Sequence, residues 1–301
     1  MDFVHLHLHS EYSLLDGVCR IADIPKAAKA AGHTAVAITD HGNLYGAVAF
    51  FKACRAEGIK PIIGCEVYVA PRTRFDKEGK RDASGNHLIL LCKNQTGYEN
   101  LIYMVSKSFT EGFYQKPRID LDLLRTHADG LIALSACLAG YIPRAIVSGD
   151  FAGARQYART LADIFGAGNF YLELQNHGIP EQREVNAELI AMAKELSLPL
   201  VATNDVHYLR KLDAENQAVM MCIQTGRTLA EGKPIGFETE EFYYKSTSEM
   251  EKLFGDVPEA LSNTVKIADA CTFEFKFGNL YLPLFRFLSV TRDVALVDLR
   301  V

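Results

Sequence analysis

The sequence predicts an α/β protein in which parallel strands alternate with helices, as a barrel or as a doubly wound sheet. Short apolar runs alternate with amphipathic segments through the first two thirds of the chain, and no hairpin signal separates them. Residues 35–38 and 199–202 are continuously apolar, as expected for strands that are covered on both faces. Polar residues follow most of these runs, which is where parallel strand–helix folds place their sites.

Seven strands are predicted before residue 204, with helices between them. The predicted strands span 3–8, 34–39, 60–69, 87–92, 131–135, 170–174 and 198–203. The helical patterns span 21–31, 44–56, 98–110, 151–165 and 181–196. From about Asp213 the pattern changes to helices, with a candidate short strand at 241–244 and two helices around Pro258.

Composition narrows the class of protein. The chain has 301 residues with 32 Lys and Arg against 37 Asp and Glu, so its net charge of -5 argues against nucleic-acid binding through overall charge. Seven cysteines without a Cys-x-x-Cys pair favour a reducing compartment. Because we find neither a signal peptide nor a membrane-spanning stretch, we expect a cytoplasmic protein with no membrane partner.

Candidate site residues lie mostly at the carboxyl ends of the predicted strands. In chain order they are His7, His9, Asp16, Asp40, His41, Glu66, Cys137, His177, Asp205 and His207. We expect them to converge on one face. His87 is the exception, because it begins its strand and must approach from the other direction or through a local reversal of the sheet.

Two pairs in this set have a spacing of two, His7 with His9 and Asp205 with His207. In an extended segment this spacing puts both side chains on the same side, so each pair can bind one metal ion. Imidazole, carboxylate and one thiolate together suit zinc, manganese or iron, and bridging carboxylates are typical of phosphate-ester hydrolysis. The pattern therefore predicts a site with several metal ions.

Other interpretations exist for individual residues. Cys137 alone fits a small buried apolar residue, and Asp16 before Gly17 fits a turn. Asp40 is assigned to a position behind the ligands, and His177 to a substrate contact or a proton carrier behind them. His5 is expected in the core, whereas His33 and His127 are expected to be solvated.

The candidate residues occur in motifs that resemble those of PHP (polymerase and histidinol phosphatase) domains, particularly the amino-terminal domains of bacterial DNA polymerase III alpha subunits. The matching motifs lie at 7–10, 16–17, 39–43, 64–66, 135–138 and 203–208, with further ones at 94–101, 256–260 and 281–283. So many motifs in the same order make a chance resemblance improbable. The resemblance covers roughly residues 3–285.

The resemblance implies a distorted seven-stranded barrel with a helical extension, and a catalytic metal site with three divalent ions (zinc, manganese, iron or magnesium). The implied ligands are His7, His9, Asp16, His41, Glu66, His87, Cys137, Asp205 and His207. Some polymerases of this family lack several of these residues and keep the domain as a scaffold. The complete set here is similar to the active type, a 3′ to 5′ exonuclease that proofreads DNA.

The resemblance also suggests a domain division and partners. We expect a metal-binding barrel at 1–210, a helical extension at 211–285 and an atypical tail at 286–301, with no polymerase catalytic domain. A DNA 3′ end would be the substrate, and the other polymerase domains and replisome subunits would be partners. The alternatives are a metal-stabilised scaffold without catalysis and a free phosphoesterase of the histidinol phosphatase type.

Overall fold

The computed structural model describes residues 2–231 and 237–279, which form an α/β fold around one curled sheet. The strands are β1 (Ala35–Ile38), β2 (Lys60–Val69), β3 (Asn86–Cys92), β4 (Arg118–Ile119), β5 (Leu131–Leu134), β6 (Phe170–Leu174) and β7 (Leu200–Ala202). Six of the seven predicted strands are confirmed, and β4 is a short strand that the sequence pattern did not predict.

The sheet is mixed, with the order β1-β2-β3-β5-β6-β7 and β4 paired to β2. The pairs β1–β2, β5–β6 and β6–β7 are parallel, whereas β3 is antiparallel to both β2 and β5. The strands are therefore not all parallel, and β3 supplies the local reversal of the sheet that was one of the two routes expected for His87. This reversal brings His87, at the start of β3, opposite Tyr68 near the end of β2.

Residues 3–10 connect the two edges of the sheet, although they do not form the continuous strand that was predicted. His5 forms an isolated parallel bridge with Val36 of β1, and Leu8 forms another with Val206 just after β7. The His9 amide also donates to the Val206 carbonyl at 2.7 Å, and the Thr39 amide donates to the Leu8 carbonyl at 2.9 Å. These bonds close the sheet into a distorted barrel.

Helices cover the outside of the sheet and form the extension. The first eight are α1 (Ile24–Ala30), α2 (Ala47–Glu57), α3 (Gly79–Ala83), α4 (Gln95–Thr110), α5 (Leu121–His127), α6 (Tyr141–Val147), α7 (Phe151–Phe165) and α8 (Pro180–Leu196). The extension contains α9 (Ala214–Thr225), α10 (Thr247–Phe254) and α11 (Pro258–Ala270), and its predicted short strand is reduced to a bridge between Tyr208 and Tyr243. None of the helices in the described residues could span a membrane.

Two buried apolar clusters follow from the two faces of the strands. Val36, Ile63 and Leu90 pack in the cluster that also contains side chains of the surrounding helices. Alternate residues of the same strands, including Ile62 and Ile89, form the second cluster inside the barrel. Because side chains alternate along a strand, Glu66 lies on the same face as Ile62, and His87 on the same face as Ile89. The inner face thus changes from apolar to polar toward one end.

Helix α11 packs against the apolar end of the barrel. Its residues Ile267 and Ala268 belong to the inner cluster, and the Asn263 side chain donates to the Leu200 carbonyl of β7 at 2.7 Å. The Lys60 ammonium, at the start of β2, donates to the Ala268 carbonyl at 2.6 Å. The division at 210 and 211 stays a prediction, and residues 281–283 and 286–301 lie outside the described residues.

Candidate metal centre

His7 and His9 lie together, fully buried, at the polar end of the barrel. Their Nε2 atoms are 3.1 Å apart, and both face Asp205 Oδ1, at 3.0 Å from His7 and 3.2 Å from His9. This arrangement confirms that the spacing of two puts both imidazoles on one side. The Nδ1 atom of each ring is occupied by another contact, which leaves Nε2 directed at the centre.

Glu66, inside β2, lies at the middle of the cluster. Its Oε2 is 2.7 Å from His41 Nδ1, and its Oε1 is 3.0 Å from His87 Nδ1. His41 follows β1 and forms a parallel bridge with Glu66, whereas His87 approaches from the reversed strand β3. Three different strands therefore direct these side chains to one point.

Asp205, His207 and Asp16 complete the wall of the site beside β7. Asp16 Oδ2 is 2.9 Å from His41 Nε2 and 3.5 Å from His207 Nε2. Asp205 has a φ of 42°, a backbone conformation that side-chain-bearing residues seldom adopt. Such strain is concentrated at functional sites, where the surrounding structure stabilises it. Here it turns the chain out of β7 so that the Asp205 carboxylate faces the two imidazoles.

Cys137 lies at the rim, in the loop after β5. Its Sγ is 3.6 Å from His87 Nδ1 and 3.8 Å from Glu66 Oε1. Burial, with the nearby Glu66 carboxylate, raises the pKa of the Cys137 thiol well above its ordinary value. A bound cation would deprotonate it, since coordinated thiols bind metals as thiolates.

Several buried atoms in the cluster face one another without forming hydrogen bonds. Within residues 2–231 and 237–279, Glu66 Oε2, His41 Nδ1 and Asp205 Oδ1 have no hydrogen-bond partner, although each lies close to ligand-type atoms. Buried polar atoms are normally satisfied, so convergent lone pairs of this kind fit cations. In the part of the chain that the structure describes, three groups could hold an ion, namely His7–His9–Glu66, His41–Glu66–His87 and His9–His41–His207.

The charges of the cluster are mutually dependent. Burial alone would lower the pKa of His41, but the Glu66 and Asp16 carboxylates outweigh it and raise that pKa to about 10. Burial alone would raise the pKa of the Glu66 carboxyl, but the surrounding imidazoles lower it well below its ordinary value. Burial and the neighbouring rings of His41 and His207 lower the pKa of His9 to about 3. His9 is thus a neutral imidazole, the form that binds metals.

Asp40 lies directly behind the candidate ligands His9 and His41. Its carboxylate accepts hydrogen bonds from the Ser10 amide at 2.6 Å, the Ser10 hydroxyl at 2.7 Å and the Ser13 hydroxyl at 2.9 Å. Ser13 Oγ lies 2.9 Å from His9 Nδ1. Asp40 therefore orients His9 through Ser13.

His177 is fully buried and does not line the cavity at the centre. Its Nε2 lies 3.0 Å from the Asn204 carbonyl, its Nδ1 lies 2.8 Å from Gln182 Nε2, and its ring stacks on Phe242 at 3.8 Å between centroids. Burial lowers the pKa of His177 to about 4. This placement supports the backbone before Asp205 and does not expose the ring to a substrate.

Sequence reasoning missed Glu173, which lies in β6 behind His7. Its Oε1 is 2.7 Å from His7 Nδ1, and its carboxylate accepts hydrogen bonds from the Ala136 amide at 3.0 Å and from the Gln175 and Thr203 side chains. A carboxylate on the second nitrogen fixes the tautomer and direction of a metal-binding imidazole. An acidic residue within the otherwise apolar run 170–174 is the signal that could have identified it.

Two cavities open beside the cluster. The first, of about 290 Å³, is lined by site residues including Cys137 and Asp205 and has an apolar wall formed by Leu138, Ile179, Met221, Phe237 and Phe242. The second, of about 350 Å³, is lined by Leu14, Tyr45, Tyr68, Phe109 and Lys116 among others. Asp16, His41 and His87 line both cavities. A substrate in either cavity would therefore reach the cluster.

Comparison with known families identifies the fold. The PHP domain family matches residues 5–177, more than half of the chain. The chain belongs to the PHP domain family. The curled α/β sheet and the convergence of site residues from its strands agree with this membership and with the resemblance in the sequence motifs.

This PHP domain is similar to longer bacterial proteins. It is 46% identical to the DNA polymerase III subunit alpha of Treponema pallidum (strain Nichols), over 95% of this chain and 24% of that protein. It is 44% identical to the DNA polymerase III subunit alpha of Thermus aquaticus, over 93% of this chain and 23% of that protein. The chain spans about a quarter of the length of these relatives.

The chain is also similar, at lower sequence identity, to a solved structure. The histidinol phosphate phosphatase of Lactococcus lactis subsp. lactis, complexed with zinc, L-histidinol and phosphate, has a TM-score of 0.39 and 14% identity. The match covers 75% of this chain and 95% of that one.

Proposed function

We propose that this PHP domain is a metal-dependent phosphoesterase that removes nucleotides from the 3′ end of DNA, as a proofreading part of a replicative polymerase. The observation that carries the proposal is the convergence of ligand-type side chains, with unpaired buried oxygen and nitrogen atoms, on the wall of an open cavity. The similarity to DNA polymerase III alpha subunits supports DNA as the substrate.

Nine side chains would bind three divalent ions in this proposal: His7, His9, Asp16, His41, Glu66, His87, Cys137, Asp205 and His207. Glu66 belongs to two of the three candidate groups and has two oxygens, which suits the bridging of neighbouring ions. Zinc, manganese and iron all fit a site of imidazoles, carboxylates and one thiolate.

Bound divalent ions would supply a hydroxide nucleophile at neutral pH, because coordination lowers the pKa of water to about 7. Three divalent ions carry more positive charge than three carboxylates and one thiolate carry negative charge, so the loaded site attracts an anionic phosphodiester. The apolar wall of the first cavity reduces the access of bulk water, which strengthens this attraction.

The protein's own residues direct the ligands and the substrate. Glu173 and Ser13 fix the imidazoles of His7 and His9 through their second nitrogens. Phe237 stacks on the buried ring of Phe242 at 4.1 Å beside His207, and Phe237 presents an apolar surface to the base of the terminal nucleotide. The phosphate between two nucleotides would then lie at Asp16, His41 and His87, between the two cavities.

A primer shortening assay tests this proposal. The purified chain is incubated with a 5′-labelled primer that has a mismatched 3′ end on a template, with manganese or zinc. We expect stepwise shortening from the 3′ end by the wild type and its loss in His9→Ala and Asp205→Asn, with less bound metal in both variants. Asp129→Asn, an exposed carboxylate away from the first cavity, is the matched control. Full hydrolysis and full metal content in Asp205→Asn would falsify the proposal.

The same preparation separates the two alternatives. A lower melting temperature after chelation, without shortening under any metal, would indicate a scaffold that metals stabilise by binding the native state. Faster hydrolysis of histidinol phosphate than of an oligonucleotide would indicate a small-molecule phosphatase.

A further inference from the structure

The second cavity is lined by a basic side chain and by aromatic side chains that the proposed metal binding does not use. It lies between the loop after residue 10, the loop after β1, the end of α4 and the turn before β4. Its volume of about 350 Å³ is within the range of small-ligand sites, about 300–1,000 Å³. Because it shares Asp16, His41 and His87 with the first cavity, a ligand in it would be continuous with one at the metal centre.

Lys116 gives this cavity a positive charge. No carboxylate of residues 2–231 or 237–279 pairs with its ammonium, which lies 5.4 Å from the centre of the Tyr68 ring. Arg74, by contrast, is paired with Asp120 and Glu111. An unpaired ammonium beside a site for phosphate esters favours a second phosphate as its ligand.

Tyr45 and Phe109 give the cavity exposed aromatic surface. The Tyr45 side chain is 60% exposed and that of Phe109 is 41% exposed, so neither ring serves mainly to fill the core. The Tyr45 amide donates to Asn43 Oδ1 at 3.0 Å, and Asn43 in turn donates to the carbonyls of Tyr12 and His41. The loop carrying Tyr45 is thus fixed to the metal-binding segment. Exposed rings on a fixed backbone are suited to stacking on bases.

We propose that the second cavity binds the penultimate nucleotide of a nucleic-acid 3′ end, with Tyr45 stacking on its base and Lys116 binding its 5′ phosphate. This inference rests on the proposed function, which places the scissile phosphate between the two cavities. The terminal nucleotide occupies the first cavity, against Phe237. Recognition therefore extends over two nucleotides, and a mononucleotide uses only half of the site.

Binding of short nucleotides tests the assignment. Dissociation constants are measured by calorimetry on the metal-loaded chain with pdT, dTpdT and pdTpdT, each dinucleotide having a non-bridging phosphorothioate at its internucleotide linkage to slow cleavage. We expect pdTpdT to bind about tenfold more tightly than pdT. Tyr45→Ala should weaken both dinucleotides about tenfold and leave pdT unchanged, since stacking on a base is sequence-tolerant and local.

Lys116→Ala should weaken pdTpdT about fivefold and leave dTpdT unchanged, because only the first has the 5′ phosphate. The dependence of log Kd on log salt concentration should also decrease, by about 0.7 for one single-strand phosphate contact. Tyr103→Ala and Lys194→Ala remove an exposed ring and an exposed ammonium outside both cavities, and they are expected to change nothing.

The possible results distinguish this inference from the proposed function. Equal effects of Lys116→Ala on pdTpdT and dTpdT, or no effect of Tyr45→Ala on either, overturn the second-nucleotide site even if the chain cleaves DNA. If the nucleotides bind as expected but an unmodified dinucleotide is not cleaved, the phosphoesterase proposal is overturned and the second-nucleotide site stays supported. Equal affinity for pdT and pdTpdT overturns the inference directly.

Discussion

At the scale of single residues, the proposed metal centre depends on side chains that would not touch a metal themselves. Glu173 is buried in β6 and contacts His7 Nδ1 at 2.7 Å. Its other contacts, to the Ala136 amide and the Gln175 and Thr203 side chains, fix the carboxylate in turn. His7 therefore has one orientation, with Nε2 directed at His9 and Asp205.

Glu173→Gln is expected to lower metal affinity about ten- to hundredfold, the usual loss when a carboxylate behind a metal-binding imidazole is removed. The amide retains the volume and one acceptor oxygen, so the fold should persist. The measurement is the metal content and metal dissociation constant of the purified variant. Glu181→Gln, an exposed carboxylate in the first turn of α8, is the control and should bind metal as the wild type does. Unchanged affinity in Glu173→Gln would contradict the orienting role.

The sequence identifies the residues of the cluster better than it identifies the residues that orient them. The spacing of two and the position at strand ends were sufficient to predict that His7, His9, Asp205 and His207 lie close together. Side chains alternate with a period of two along an extended chain, and this is a local property. His33 was expected to be solvated and is 4% exposed, so that expectation is wrong. Its partner Tyr244 is more than two hundred residues away, and no local pattern can predict such packing.

At the scale of elements, the reversed strand β3 decides how the site is completed. Because β3 is antiparallel to both of its neighbours, its first residues lie beside the carboxyl ends of β2 and β5. His87 therefore meets Glu66 and Cys137 although it begins its strand. The sequence indicated that His87 needed such a reversal but could not show it, because strand direction depends on pairing between distant segments.

The two-residue strand β4 is too short for a sequence pattern to reveal, but it contains the buried Arg118. This guanidinium donates to the carbonyls of Gly112 at 3.0 Å, Asp82 at 2.6 Å, Asp76 at 2.8 Å and Arg74 at 3.2 Å. It thus connects the loop after β2 to the turn that carries Lys116. One side chain satisfies backbone acceptors that would otherwise be buried without donors.

Arg118→Leu is expected to lower the free energy of unfolding by about 3 kcal/mol, since several carbonyls lose their donor in the interior. Urea denaturation monitored by circular dichroism measures the change. Arg183→Leu, on the exposed side of α8, should change the same quantity by about 0.5 kcal/mol or less. A loss in Arg118→Leu no larger than in Arg183→Leu would show that the loop does not depend on this contact.

At the scale of the whole molecule, the extension and the barrel share a core. Helix α11 packs at the apolar end of the barrel, while Phe242 and Phe237 from the segment before α10 form part of the wall of the first cavity. The extension therefore contributes to both ends of the same barrel. Removing it would expose the inner apolar cluster and open the site, so the proposed metal centre depends on residues well beyond His207, the last of its candidate ligands.

A buried histidine pair joins the extension to the start of the barrel. His33, before β1, contacts the Tyr244 hydroxyl at 2.9 Å and the Thr247 hydroxyl at 3.1 Å, and its ring centre lies 5.6 Å from that of His5. Burial lowers the pKa of His33 to about 4, and burial with the neighbouring His33 lowers the pKa of His5 to about 3. Both rings are therefore neutral in the folded protein at neutral pH.

Stability should consequently decrease in mild acid for a reason unrelated to the metals. Below pH 6.5 the unfolded chain binds a proton at His33, whereas the folded chain does not until about pH 4, so the free energy of unfolding falls as pH falls through this window. The loss reaches on the order of 3 kcal/mol for one such group. We expect His33→Gln to make the curve less steep between pH 6.5 and 4, measured by urea denaturation with metals chelated, while the other buried histidines keep part of the slope. At pH 8 the difference in free energy of unfolding between His33→Gln and the wild type measures packing alone, because His33 is then neutral in both the folded and the unfolded chain. Parallel curves for the two proteins below pH 6.5 would show that His33 does not connect extension and barrel as a buried neutral group.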